Sequence, residues 1–152
     1  MSIREVNEEV AMESFGVELA AALPPGAVVA LNGTLGAGKT RLVQAVARSL
    51  EIPPRTVTSP TYVICQHYFG RRDIHHVDLY RVADEDAFWE LGLEEFFETD
   101  GLIFIEWAER FQSCLPKDRL DIRLEITGPT SRLAKITSES GLYDLIVTAL
   151  AD

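Results

Sequence analysis

Cysteine is scarce in this sequence: Cys65 and Cys114 are the only two among 152 residues. They lie far apart and each has an apolar neighbour, so buried free thiols are expected rather than a disulfide framework or a cysteine-rich metal site. Long apolar runs are missing too. Nothing approaches the roughly twenty residues that a helical membrane span needs, and Met1 to Val6 lacks the basic-then-apolar order of a secretory signal. A cytoplasmic address without membrane contact is the expectation. Positive charge is also short: 14 Lys and Arg stand against 24 Asp and Glu, a formal net charge of −10. Clustered Lys and Arg supply most of the affinity for nucleic-acid phosphates, so a chain of this charge is not expected to bind RNA unaided. Any RNA contact would run through a partner. The acidity serves solubility equally well.

The length fits one domain over residues 1–152, able to bury about two-thirds of its unfolded surface without a disulfide or structural metal. With 47% hydrophobic and 25% charged residues, the composition is that of a globular protein. There are no internal repeats and no low-complexity tract.

Against these absences stands Gly33-Thr34-Leu35-Gly36-Ala37-Gly38-Lys39-Thr40. It fits the phosphate-loop pattern G-x-x-x-x-G-K-[ST] at every fixed position. Ala27 to Leu31 before it is a short apolar run suited to a buried strand. Arg41 to Leu50 after it is apolar at Leu42, Val43, Val46, Ala47 and Leu50, which is helical spacing. Strand, glycine loop and helix come in the required order. Glycines let successive amides turn into one concavity, and the helix presents its positive end to the same anion. Lys39 is expected on the β- and γ-phosphates and Thr40 on Mg²⁺.

Around this loop the chain reads as α/β: a single-domain P-loop nucleotide triphosphatase with a mixed, largely parallel central sheet plus antiparallel strands, flanked by helices. Residues 3–6 suit a short strand, and Asn7 suits the N-cap of a helix reaching about Ala22, with Val10, Ala11, Phe15, Leu19 and Ala22 near one face. Val57 to Phe69 is a hydroxyl-rich turn around Pro60 that leads into a strand. Thr61 within it is the candidate for a switch sensing Mg²⁺ and the γ-phosphate; a capped turn opening a strand explains the same residues. Gly70 to Asp73 turns the chain into Ile74 to Tyr80, with His76 and Asp78 on one face and His75 and Val77 on the other. Adjacent histidines on a strand point apart, which disfavours a transition-metal site. Asp78 suits a residue that orients the attacking water or a magnesium-bound water, or simply an acid in the loop after the strand. Asp84 to Phe97 reads as a helix broken at Gly92, with Phe88, Leu91, Phe96 and Phe97 in the core. Leu102-Ile103-Phe104-Ile105-Glu106 has the form of a Walker B strand that delivers a carboxylate beside the loop, with a water-mediated magnesium contact expected of the longer glutamate. Trp107 follows at the strand end, where ligands of α/β sheets bind, and suits either the nucleotide side or the core. Leu120 to Ile126 and Arg132 to Thr137 alternate as an antiparallel pair. A last helix, Ser138 to Ala149, is expected to bury Leu142, Leu145, Ile146 and Ala149.

Taken together, Gly33 to Thr40, Thr58-Ser59-Pro60-Thr61-Tyr62, His76-Val77-Asp78-Leu79-Tyr80-Arg81, Leu91-Gly92-Leu93-Glu94-Glu95 and Ile105-Glu106-Trp107-Ala108-Glu109 resemble the bacterial TsaE (YjeE) family, over nearly the whole chain. The resemblance implies a small ATPase serving threonylcarbamoyl transfer to the adenosine beside the anticodon of tRNAs that read codons beginning with A. It implies TsaD and TsaB as partners, tRNA contact only through their complex, and hydrolysis of Mg·ATP that resets the complex between turnovers. Carried over, it makes Lys39 the phosphate lysine, Thr40 and Glu106 the magnesium residues, Thr61 part of the switch and Asp78 a residue needed for hydrolysis. Gly33, Leu35, Gly36, Ala37, Gly38, Lys39, Thr40 and Trp107 are the expected nucleotide contacts. Asn7 and Arg132 are conceivable neighbours of the base. Thr34 stands where the family usually has aspartate, and Arg41 where a second threonine is common; neither change removes a phosphate ligand. The alternative is a small-molecule P-loop kinase, which needs an acceptor pocket and usually an arginine-bearing lid, and no lid-sized insertion is present. A GTP-dependent switch is disfavoured because the guanine-reading N/T-K-x-D pattern does not occur. A binding module without turnover would share the loop.

Overall fold

The computed structural model describes residues 1–53, 56–57 and 64–151. Its strands are β1 (Ser2–Asn7), β2 (Val28–Asn32), β3 (Cys65–Tyr68), β4 (Ile74–Asp78), β5 (Leu102–Glu106), β6 (Leu120–Ile126) and β7 (Ser131–Thr137). They form one sheet in the order β1-β7-β6-β2-β5-β4-β3. β6, β2, β5 and β4 run parallel, while β1, β7 and β3 join antiparallel at the flanks. The helices are α1 (Glu8–Ala22), α2 (Lys39–Ser49), α3 (Glu85–Glu90), α4 (Glu94–Phe97) and α5 (Asp144–Ala149). The α/β class and mixed sheet are as expected, and none of these helices is long and apolar enough to cross a membrane.

Every residue of β2 and β5 is buried. Helices cover both faces of a parallel centre, so its strands must be apolar on both sides. On one face Val29, Leu31 and Phe104 pack with Phe15 and Leu19 of α1 and Leu42, Val43 and Val46 of α2. On the other, Val28, Ala30, Ile103 and Ile105 pack with Phe88 and with Phe111 and Cys114 of a 3₁₀ segment, Ala108–Cys114. Each fully buried large side chain contributes about 1.5–3 kcal/mol from water exclusion. Helices α1 and α2 cross closely because Gly16 has no side chain: a Cβ there would lie 2.4 Å from that of Ala45.

The apolar face of α1 is as expected at Ala11, Phe15, Leu19 and Ala22 but not at Val10. Val10 is 77% exposed, and Met12 is buried with Phe15 and Leu19 instead, since these three share one stripe at i, i+3 and i+7. Asn7 does precede the helix, but its side chain makes no capping bond. The last helix is also shorter and turned. A 3₁₀ turn at Gly141–Tyr143 precedes α5 and shifts the phase, so Tyr143, Val147 and Leu150 are buried while Leu142 and Leu145 are exposed. Gly92 takes φ +69 between α3 and α4, as the broken helix requires. Phe88 is fully buried there, whereas Leu91, Phe96 and Phe97 are half-buried.

Candidate functional site

Parallel strands β2, β4 and β5 end at the same edge of the sheet, and the loop between β2 and α2 lies there. Gly33, Gly36 and Gly38 have φ of +140, +79 and +110. At Gly33 the requirement is also steric, because a Cβ would meet the Leu124 carbonyl oxygen at 2.5 Å. Arg132 of β7 holds the back of the loop: its Nε donates to Ala37 O at 3.1 Å and its Nη2 to Gly36 O at 3.2 Å. In a trans peptide the N–H opposes the C=O, so the Gly38 amide points away from Arg132.

Lys39 is buried, and its Nζ donates to Gly33 O at 2.6 Å and Thr34 O at 3.0 Å. The same ammonium sits 4.1 Å from the centre of the Trp107 ring, a cation–π contact. Burial pulls the Lys39 pKa below its ordinary value, against the carboxylates of Glu106, Glu109 and Asp78. Trp107 itself adopts φ +60, an uncommon left-handed conformation for a bulky residue. Its backbone N–H donates to Leu31 O at 3.1 Å and its ring lies 5.0 Å from that of Tyr80. Trp107 therefore faces the loop lysine while also packing against the core cluster of Ile103, Ile105 and Phe111.

Thr40 Oγ1 donates to the Glu106 carboxylate, 3.1 and 3.0 Å from its two oxygens. Glu106 is only 3% exposed. Its second donor is His76 Nε2, 2.5 Å from Oε2, and Tyr68 Oη lies 3.1 Å from Nδ1 of the same ring. Asp78 stands directly across from Glu106 in the parallel pairing of β4 and β5. Burial pushes the Asp78 carboxyl above its ordinary range, and the neighbouring Glu106 charge adds to this, while the Tyr80 N–H at 2.8 Å opposes it.

A cleft of about 690 Å³ opens over Leu35 to Arg41, Glu106 and Trp107 and continues past Met12, Pro129, Thr130 and Arg132. Arg132 is in the lining of the cleft, while Asn7 is not and its Nδ2 is 3.5 Å from Glu5 Oε2. Thr61 lies outside the described residues. His75 and His76 diverge as strand neighbours do: His76 turns inward to Glu106, and His75 Nδ1 meets His67 Nδ1 at 2.6 Å. Among the described residues no group of three or more His, Cys, Asp or Glu is arranged to hold a metal ion. Mg²⁺ needs no such cage, because it keeps waters and takes one or two protein oxygens with substrate phosphates. The hard-oxygen pair of Thr40 and Glu106 fits that habit, and the glycine cradle beside Lys39 fits phosphate.

Sequence reasoning missed two contacts. One is the partnership of His76 with Glu106, which would have required the register of β4 on β5. The other is the clamp of Arg132 on the loop, which depends on β7 lying two strands from β2.

A profile of the family "Threonylcarbamoyl adenosine biosynthesis protein TsaE" matches residues 6–134. The tRNA threonylcarbamoyladenosine biosynthesis protein TsaE of Bacillus subtilis (strain 168) is 37% identical over 133 residues, spanning 87% of this chain and 82% of that protein. The protein of the same name from Rickettsia bellii is 34% identical over 135 residues, 88% of this chain and 93% of its own length. The crystal structure of Bacillus subtilis YdiB superimposes with a TM-score of 0.81 at 29% identity, over 97% of this chain and 92% of that one. Loop, sheet order and comparisons agree: the chain belongs to the TsaE family, P-loop ATPase-like proteins of tRNA threonylcarbamoyladenosine biosynthesis.

Proposed function

We propose that the chain hydrolyses Mg·ATP in this cleft and that the hydrolysis resets a complex of TsaD and TsaB between rounds of tRNA threonylcarbamoyladenosine formation, with tRNA met only through that complex. The observation that supports it most is the pairing of Thr40 with Glu106 beside a buried Lys39. That pairing brings a hydroxyl, a carboxylate and an ammonium together at one end of the phosphate loop.

In this reading, the amides of Gly36 to Thr40 and the residues Gly33 and Leu35 cradle the phosphates. Lys39 leaves the Gly33 and Thr34 carbonyls for the β- and γ-phosphates, exchanging two neutral acceptors for anionic ones. Thr40 and Glu106 would hold magnesium, the glutamate through water. When bound, the metal ion neutralises charge that develops on the phosphates. Asp78 orients the attacking water: its carboxylate is held by the Tyr80 N–H, and burial raises its basicity. Trp107 covers the phosphate side, and Thr61 belongs to the switch. The whole of residues 1–152 acts as one domain.

Among the described residues, the two arginines that line the cleft are already engaged, Arg132 with the Ala37 and Gly36 carbonyls and Arg41 with Glu9. Charge stabilisation and water positioning are the terms most readily supplied in trans, where an arginine can be worth about a thousandfold. Steady-state hydrolysis measured with the chain alone and with TsaD and TsaB added is the test. A slow isolated chain that accelerates at least about tenfold supports the reading; an equally fast chain alone, or turnover that requires a small-molecule acceptor, favours a kinase. Glu106→Gln checks the metal assignment. It should slow turnover about 10- to 100-fold, while Mg²⁺-free nucleotide binding, held by the loop amides, stays near wild type.

A further inference from the structure

An ionised carboxylate withdrawn from water needs fixed donors, and Glu106 has two, Thr40 and His76. They are not equivalent. Thr40 opens α2 at the mouth of the cleft, and its hydroxyl must turn from Glu106 if it is to meet a metal ion. His76 lies on the opposite side, fully buried on β4, where no ligand in the cleft reaches it. Its Nε2 donates to Glu106 Oε2 in either protonation form of the ring, since a carboxylate only accepts.

The imidazole is itself held. Tyr68, 2% exposed, places Oη 3.1 Å from Nδ1, with the two rings 5.9 Å apart and tilted, and 2.5 Å from Gln66 Oε1; its one proton goes to Nδ1 of a neutral ring, or to Gln66 where the ring itself donates from Nδ1. Register explains the row. Gln66 pairs with His76 across the antiparallel β3–β4 ladder, and His76 pairs with Phe104, two residues before Glu106, across β4–β5. Alternation therefore puts Gln66, Tyr68, His76 and Glu106 on one face of the sheet.

We propose that His76, steadied by Tyr68 and Gln66, is a positioning residue that keeps the Glu106 carboxylate aimed at the magnesium position when Thr40 lets go of it. The proposal rests on the Mg·ATP reading of the cleft. Groups behind a metal-holding residue commonly change metal affinity 10- to 100-fold when removed, and a histidine that served only as core filler would not.

The experiment is calorimetric binding of ADP to the full chain over a magnesium series, with a magnesium-free arm. His76→Leu should raise the magnesium concentration that half-saturates the effect by about tenfold or more, with magnesium-free ADP affinity within about twofold of wild type. His76→Gln keeps a donor near the Nε2 position and should recover to within about threefold. Tyr68→Phe should give a smaller shift of about threefold. The proposal is overturned if His76→Gln is as impaired as His76→Leu while both melt like wild type, or if magnesium-free affinity falls in parallel. Should His76→Leu not fold, Tyr68→Phe decides, and an unchanged magnesium requirement overturns it. Failure of the cleft reading looks different: wild type would show no magnesium-dependent binding, or Glu106→Gln would leave it unaltered.

Discussion

The β6–β7 pair and the ends of the parallel strands treat charge in opposite ways. Across the antiparallel β6–β7 pair, Lys135 Nζ meets Glu125 at 2.9 Å, with side chains 38% and 39% exposed. In the parallel centre, Lys39, His76, Asp78 and Glu106 are all buried at one edge. Water screens the first group, and exposed pairs of that kind contribute about 0–1 kcal/mol each. The second group is sheltered from water, so the Glu106 carboxylate depends on its fixed donors, Thr40 and His76. A fold gains little by concentrating charge in its interior. The concentration at the strand ends therefore fits the proposed nucleotide site, and the exposed pair on β6 and β7 fits solubility.

The largest effect that would break this contrast is at Lys39. Lys39→Ala should lower ATP hydrolysis by at least about 100-fold while the melting temperature stays near wild type. Its ammonium is held at a desolvation cost, and its pKa is depressed accordingly, so the fold loses little when it goes. Hydrolysis within about threefold of wild type in a folded variant would remove the phosphate-loop lysine from the mechanism.

Asp78 comes next, and here activity and stability should part. Its folded pKa is raised, chiefly by burial. Such a group adds stability below the ordinary carboxylate value of 3.8, and that contribution is lost as pH rises through the higher folded value. At neutral pH the ionised carboxylate therefore costs stability. Asp78→Asn removes the charge and keeps an oxygen for the Tyr80 N–H. It should melt at or above wild type near pH 7, with the advantage fading toward pH 4, while turnover falls about tenfold or more. A variant that is less stable at pH 7 than at pH 4, relative to wild type, would show that Asp78 is a structural anion.

Much of this site was legible from local sequence, and the rest was not, for one reason. The loop from Gly33 to Thr40 encodes its own shape, because glycine positions dictate backbone dihedrals wherever they fall. Glu106 was legible because a strand buried on both faces that ends in an acid leaves little choice about where the acid lies. His76 behind Glu106, and Arg132 behind the loop, depend on pairings between residues 30 and 95 positions apart in sequence, and periodicity within one strand carries no register between strands. The same limit explains Val10 and Leu145. A helical stripe is readable to within a turn, but the 3₁₀ turn at Gly141–Tyr143 and the contacts of Phe15 decide which side faces the sheet.

The smallest effect sharpens the comparison from the other side. Lys135 and Glu125 sit on neighbouring strands of the flank with side chains 38% and 39% exposed. Arg123 adds a second cation at 4.0 Å from the same Glu125 carboxylate, so the glutamate keeps a partner when the lysine is gone. Lys135→Ala should therefore cost no more than about 0.5 kcal/mol, with hydrolysis and its magnesium dependence unchanged. Much of even that small loss should vanish at high salt, because exposed charges are screened over a few ångströms there. Chemical denaturation at low and high salt, with hydrolysis measured on the same preparation, reads all three quantities. A loss above about 2 kcal/mol that persists in high salt would mean that β6 and β7 hold a structural ion pair of the buried kind, and the contrast between a solvated β6–β7 pair and the buried charges at the strand ends would fail.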